Sequence, residues 1–195
     1  LKTGVKKYAK GKKDIADDIK GTDFENLDIL PADFAQRNLD IVFDKFKHSK
    51  KRLAKILERF EDEYDLLFLD CPPTINILAE NIFNASDYLI MPVIPSTLSL
   101  RAQEQLFKFF RKKRYSIQKS LLFFSMVDKR KKMHQEHMTL ITSKFANVLE
   151  PYIPYSSTVE KMGLMREPVL SFSPRSKAGL AYKELWSALR AKIEI

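Results

Sequence analysis

The 195 residues contain a single cysteine, Cys71, so no internal disulfide can form, and a reducing cytoplasm is the expected compartment. Only five glycines are present (Gly4, Gly11, Gly21, Gly163 and Gly179), and none opens a Gly-Lys-Ser/Thr triplet. That excludes a phosphate-cradling loop from these residues. Lys10-Gly11-Lys12-Lys13 lacks the hydroxyl such a loop offers to magnesium, and no strand precedes it; Lys2-Thr3-Gly4-Val5-Lys6-Lys7 fails likewise. No apolar run approaches the roughly 20 residues that span a bilayer, and the first residues have no apolar signal region. The three histidines, His48, His134 and His137, share no metal-ligand spacing with the cysteine and read as surface or core residues.

What is present is ordinary for a soluble globular chain: 45% hydrophobic and 30% charged residues, enough for one domain with a real core. The net charge of +9 is concentrated. Between Lys108 and Lys132 lie ten basic residues and one acid, Asp128, while the rest of the chain balances at 24 of each sign. A local excess of that size suits a polyanion such as nucleic acid, an acidic membrane surface, or simply a solvated face.

The hydrophobic pattern alternates strands with helices. Asn26–Leu30 reads as a short strand stopped by Pro31. Apolar residues at helical spacing from Gln36 to Phe60 predict one helix, or two joined near His48-Ser49. Tyr64-Asp65-Leu66-Leu67-Phe68-Leu69-Asp70-Cys71-Pro72-Pro73 is an apolar run of strand length that ends on a carboxylate and breaks at two prolines. Ile75–Ala85 reads as a helix and Tyr88–Val93 as a buried strand. Ser96-Thr97 is a cap for a helix from Leu98 to Arg114. Ser120–Val127 is a third buried strand, His134–Leu149 a helix and Tyr152–Pro154 a short strand. A stretch punctuated by proline and serine runs from Ser156 to Lys177, and Ala178–Ile193 closes the chain as a helix. The expected fold is α/β: a doubly wound, mostly parallel sheet covered by helices, with ligands beyond the C-terminal strand ends, where Asp70, Asp128 and Pro154 fall.

These motifs, in this order, resemble the ParA/MinD family of deviant P-loop ATPases, and its partitioning ParA-like branch more than MinD. The Asp70-Cys71-Pro72-Pro73 strand end carries the resemblance. Asn26–Ala32, Pro92–Leu100 with Gln105-Leu106, Met126–Asp128, Ile153-Pro154, Pro168 and Pro174–Gly179 with Ala181-Tyr182 extend it over roughly residues 20–193. The resemblance implies a P-loop NTPase fold that uses ATP and Mg²⁺, dimerises around two ATP molecules, binds DNA without sequence preference and is released by a ParB-like activating partner. Asp70 would be the catalytic Walker B acid, holding Mg²⁺ through water. Asp70, Cys71, Pro72 and Pro73 would form the switch II turn, and Asp128, Pro154, Tyr155 and Ser156 would lie beside the adenine.

The family's phosphate loop, Lys-Gly-Gly-x-x-Gly-Lys-Thr, is not in this sequence. Residues 1–195 are therefore expected to be a single ParA-like domain lacking its N-terminal phosphate-loop part, with 1–22 a loop or helix lead-in. The loss is either a truncation or a natural one that leaves a non-catalytic binding module, with no nucleotide bound by this chain. Hydrolysis by these residues alone is not expected, because positioning and charge neutralisation supply nearly all of phosphoryl-transfer catalysis. The expected location is cytoplasmic, with nucleoid association through DNA, and no membrane partner. Candidate DNA-binding residues form two patches, Arg111, Lys112, Lys113 and Arg114 at a helix end, and Lys129, Arg130, Lys131 and Lys132 after a strand. The first patch also favours its own helix C-terminus. Cys71 is expected to pack beneath the switch turn, Trp186 to lie in the core, and Phe107, Phe109 and Phe110 to be core residues rather than stacking platforms.

Overall fold

The computed structural model describes residues 14–31, 39–46, 48–72 and 74–193. It divides into two compact units, Leu1–Ser86 and Asp87–Ile195.

In the first unit, β1 (Lys20–Gly21) pairs antiparallel with β2 (Asp28–Ile29). The predicted Asn26–Leu30 strand is thus reduced to two residues of a small hairpin, and Leu27 and Ile29 are exposed. The helical pattern from Gln36 to Phe60 resolves into α1 (Leu39–Asp44) and α2 (Arg52–Leu57), separated by a break at His48, whose φ is +60°. Residues 36–38 lie outside the described residues. The third helix, α3 (Ile77–Ala85), is capped by Asn76, whose side chain accepts from the Ala79 N–H at 3.1 Å. Val42 and Phe43 of α1 form the unit's small core with Leu53, Ile56, Ile77 and Leu78.

The second unit is built on parallel pairing. β3 (Leu89–Val93) lies beside β4 (Ser120–Phe124), in register from Leu89 opposite Ser120 to Val93 opposite Phe124. The segment 147–155 runs parallel along the other side of β4. There Leu122 donates to Asn147 O at 2.8 Å, and Leu149 donates back to Leu122 O at 2.7 Å. Further along, Ile153 donates to Phe124 O and Tyr155 to Val127 O. β4 is therefore central and buried on both faces, as its apolar run predicts. Leu121 and Phe123 pack on Leu185 and Leu189 of the last helix, while Leu122 and Phe124 point to the opposite face. The helices are α4 (Thr97–Lys113), α5 (Lys132–Lys144), α6 (Ser157–Met165), α7 (Val169–Phe172) and α8 (Lys177–Ile193).

Four expectations change. The helix read as His134–Leu149 ends at Lys144, because Val148 and Leu149 join the sheet instead; a short apolar pair at a helix end satisfies either pattern. The punctuated stretch after Ser156 holds two helices, α6 and α7. Trp186 is 40% exposed, because Leu185 and Leu189 occupy the buried face of α8. The run Leu66–Asp70 forms no strand and has no ladder partner among the described residues, and Phe68 is 66% exposed. Apolar composition makes a segment ready to pair; a strand forms only where a second strand meets it. By contrast Phe107 and Phe110 are buried as expected, while Phe109 is half-buried and stacks on Tyr115. No helix among the described residues is long and apolar enough to cross a membrane.

Candidate functional site

Parallel strands deliver their C-terminal ends to one edge, and in the second unit that edge gathers three loops. Ser125 donates to Val93 O at 3.0 Å and Tyr155 to Val127 O at 2.9 Å, so 93–96, 125–128 and 154–156 lie side by side. Ser96 caps α4, accepting from the Ser99 N–H at 3.3 Å. Ser156 caps α6, accepting from the Thr158 N–H at 3.2 Å. Tyr155 between them is exposed. Met126 has φ of +56°, a strained conformation for a long side chain, at the bend that turns the chain from β4 into Asp128.

Asp128 is held from two sides. The Arg130 guanidinium grips its carboxylate with Nε on Oδ1 and Nη2 on Oδ2, both at 3.0 Å, and the Arg130 N–H adds a third bond at 3.1 Å. The backbone N–H of Asp128 donates to His134 Nδ1 at 3.2 Å, so that ring nitrogen is the acceptor in this contact. His134 is buried, and the sequence carries no signal for this positioning role beyond its place in the first turn of α5. Gln135 closes the loop by donating to Lys129 O at 2.7 Å. The side-chain bond from Arg130, then its backbone N–H, hold the Asp128 carboxyl down at about 2.

A depressed carboxylate contributes stability that is present above its ordinary pKa and lost as pH falls through the folded value. The Arg130 grip on the Asp128 carboxylate is therefore expected to persist from neutral pH to about 4 and to be lost as pH falls from about 4 to about 2. Arg130→Gln should move the Asp128 titration up towards the ordinary carboxylate range, read by carboxyl carbon NMR. An unchanged midpoint would remove Arg130 as the cause.

The two basic patches fall on opposite edges of the second unit. α4 starts at the C-terminal strand edge, and its 17 residues carry Arg111–Arg114 roughly 25 Å away. Arg111, Lys112, Lys113 and Arg114 are exposed and have no acidic partner among the described residues; Lys113 stands over the Phe109 ring at 5.9 Å. The second patch is largely engaged. Lys129 lies over the Tyr152 ring at 4.9 Å, Arg130 grips Asp128, and Lys132 reaches Glu136 at 3.6 Å.

Asp70, Cys71 and Pro72 belong to the first unit and are exposed; Pro73 lies outside the described residues. Cys71 is not packed beneath a turn, and its Sγ donates to Leu69 O at 3.0 Å. Partial desolvation, with the Asp70 charge second, pushes its thiol up, the reverse of what a catalytic thiolate needs. Among the described residues no group of three or more His, Cys, Asp or Glu side chains is arranged to hold a metal ion.

A central parallel strand flanked by parallel neighbours, with helix caps and an acid gathered at one edge, is the architecture of a doubly wound α/β protein. A family model described as an AAA domain matches residues 2–123, well over half of the chain, and the chain belongs to this family in its ParA/MinD-like P-loop ATPase form. It is 27% identical over 177 residues to the sporulation initiation inhibitor protein Soj of Bacillus subtilis, covering 88% of this chain and 70% of that protein. It is 25% identical over 182 residues to the chromosome partitioning protein ParA of Caulobacter vibrioides, covering 90% of this chain and 68% of ParA. The fold matches a putative plasmid partition protein from Borrelia burgdorferi bound to AMPPNP, with a TM-score of 0.81 at 20% identity, over 98% of this chain and 75% of that one. It also matches the cell division ATPase MinD of Pyrococcus furiosus, with a TM-score of 0.71 at 15% identity, over 96% and 75%.

Proposed function

We propose that this chain acts in DNA partitioning as a ParA-like protein, gripping DNA without sequence preference through the end of α4. The observation that carries the reading is the set Arg111, Lys112, Lys113 and Arg114: exposed, clustered at one helix end and without acidic partners among the described residues. Such groups neutralise phosphates and release counterions whatever the base sequence. Lys129–Lys132 contribute less to DNA in this reading, because three of the four already have partners. Reversing all four charges of the first patch to glutamate should lower DNA retention more than tenfold and flatten its salt dependence, by up to about 0.9 in slope for each phosphate no longer neutralised. Retention with an unaltered salt slope would sink the reading.

The nucleotide reading is narrower. The loop edge at Asp128, Pro154, Tyr155 and Ser156 fits the base side of ATP: an accessible aromatic ring and a carboxylate kept ionised. The phosphate side does not fit, since no Gly-Lys-Ser/Thr loop exists in the 195 residues and Asp70 belongs to no metal-binding cluster among the described residues. We therefore assign no hydrolytic step to these residues. Asp70 with Cys71, Pro72 and Pro73 is proposed as the Walker B and switch II side of a site that is complete only with a phosphate loop. Nucleotide-dependent dimerisation and release by a ParB-like partner are proposed on the same terms. Calorimetry on the 195-residue chain should find no micromolar, magnesium-dependent ATP binding. Finding it would reveal a phosphate site in this chain and overturn the assignment.

A further inference from the structure

The last turn of α4 is fixed in place. Arg114 ends the helix with a φ of +60°, the Tyr115 N–H donates to Phe110 O at 2.9 Å, and the Tyr115 and Phe109 rings stack with centroids 6.1 Å apart. Phe110 is fully buried beneath this turn. At about 100° per residue, Lys112 projects some 200° round the helix from Phe110, into solvent.

Lys112 combines two properties. Its amine has no hydrogen bond, ion pair or ring contact among the described residues. By contrast, Lys50 and Lys144 each lie 2.6 Å from a glutamate, Lys132 lies 3.6 Å from Glu136, and Lys113 and Lys129 stand over aromatic rings. The neighbours of Lys112 are also cations: Arg111, Lys113 and Arg114 beside it, and Lys108 one turn back on the same face, all exposed. The one acid of α4, Glu104, is about 12 Å back along the axis. It is held by Lys144 at 2.6 Å.

An amine in its neutral form is a nucleophile, and a group of fixed cations raises the local concentration of an anionic reagent. We infer that Lys112 is an acylation site for anionic donors of the acyl phosphate class, and that its acylation weakens the DNA grip; the second part rests on the function proposed above. The neutral Nζ attacks the carbonyl carbon and an amide C–N bond forms. The bond from that carbon to the phosphate oxygen breaks, and phosphate leaves with the bonding electrons. The proton released from nitrogen goes to water or to the leaving phosphate. The patch has then lost one positive charge. Electrostatics choose the donor: a neutral ester gains nothing from the surrounding cations, whereas an acyl phosphate is drawn to them.

Acetyl phosphate is the probe, with acetylation of each lysine read by peptide mass spectrometry in the absence of DNA. Lys112 should label several-fold faster than Lys183, which is exposed and without an ion pair but adjacent to Glu184, and faster than the ion-paired Lys144. Its lead should shrink as salt rises towards roughly 1 M, where the Debye length falls to about 3 Å. Treated protein should retain DNA with a salt slope shallower by up to about 0.9 for each charge lost. Lys112→Arg keeps the charge and offers no reactive amine, so it should lose less of its slope on treatment than the unsubstituted chain. Labelling of Lys112 no faster than that of Lys183, a lead indifferent to salt, or an equal loss of slope in treated Lys112→Arg would each overturn the inference. A chain that labels at Lys112 as expected, yet shows no salt-dependent DNA retention before treatment, would bear out the acylation site and overturn the DNA reading instead.

Discussion

Asn81→Leu is expected to destabilise the first unit by about 2–4 kcal/mol, although leucine is similar in size and the better helix former. Asn81 is fully buried, and all four of its hydrogen-bonding positions are in use. Its Oδ1 accepts from the Arg52 N–H at 3.0 Å and the Leu53 N–H at 3.1 Å. Its Nδ2 donates to Ser49 O at 2.7 Å and Ile77 O at 2.8 Å. Arg52 and Leu53 open α2, so their N–H groups have no partner within that helix. No side chain of the α2 N-cap supplies one either. Asn81 therefore caps a helix 28 residues earlier in the chain. Leucine would remove the acceptor shared by these two N–H groups and the donor to the partly buried Ser49 carbonyl, and losing such bonds from a partly buried site costs more than the bonds themselves are worth. Lys50 and Glu80, 2.6 Å apart on the same contact, are partly exposed and cannot compensate. The measurement is the urea midpoint, together with hydrogen exchange at Arg52 and Leu53. Unchanged protection of those two amides would refute the capping role.

Gly179→Ala should destabilise the second unit by about 1–3 kcal/mol, despite the gain of up to ~1 kcal/mol that alanine normally brings to a helix. A Cβ at Gly179 would sit 2.6 Å from Ser173 O, 2.8 Å from Pro174 O and 3.0 Å from Pro174 C. All three are backbone atoms, and the turn that holds them is tied down. Ser176 Oγ donates to Ser173 O at 2.7 Å and accepts from the Gly179 N–H at 3.1 Å, while Ser173 N donates to Val169 O at 2.8 Å. Relief requires moving α8 off the sheet or opening the 173–176 turn, and either disturbs the packing of Ala181, Leu185 and Leu189. Trp186, further along α8, reports the transition by fluorescence. Gly163→Ala is the control: with open space at its Cβ, it should be neutral or stabilising by up to ~1 kcal/mol. Equal effects at the two glycines would show that helix propensity, and not the Ser173–Pro174 contact, governs both.

The sequence places Gly163 in the punctuated stretch and Gly179 in the closing helix, and neither reading says how much room a Cβ would have at either position. The caps at Ser96 and Asn76 are different. Each bonds an N–H three residues on, so the Ser96 cap and the helix after it could be predicted from neighbours alone. The Asp128 and Pro154 loops were legible for a related reason: strands buried on both faces and separated by helices must run parallel, which brings their ends to one edge. His134 and Arg130 were not legible as the residues that set Asp128. Their role depends on how the loop folds back between β4 and α5, and a basic run reads as a basic run until one member meets an acid.

By itself, the sequence determined the α/β class, two buried core strands within Tyr88–Val93 and Ser120–Val127, the long helices that became α4 and α8, and a resemblance to ParA/MinD proteins without a phosphate loop. Those properties follow from periodicity, capping and motif order, all carried by residues close together in the chain. The tertiary structure decided where α2 begins, that Val148 and Leu149 extend the sheet, which basic residues remain without acidic partners among the described residues, and that Leu66–Asp70 has no ladder partner among them. Each of those depends on a group far away in sequence, and a hydrogen-bonding or apolar segment cannot specify by composition alone which distant partner it meets.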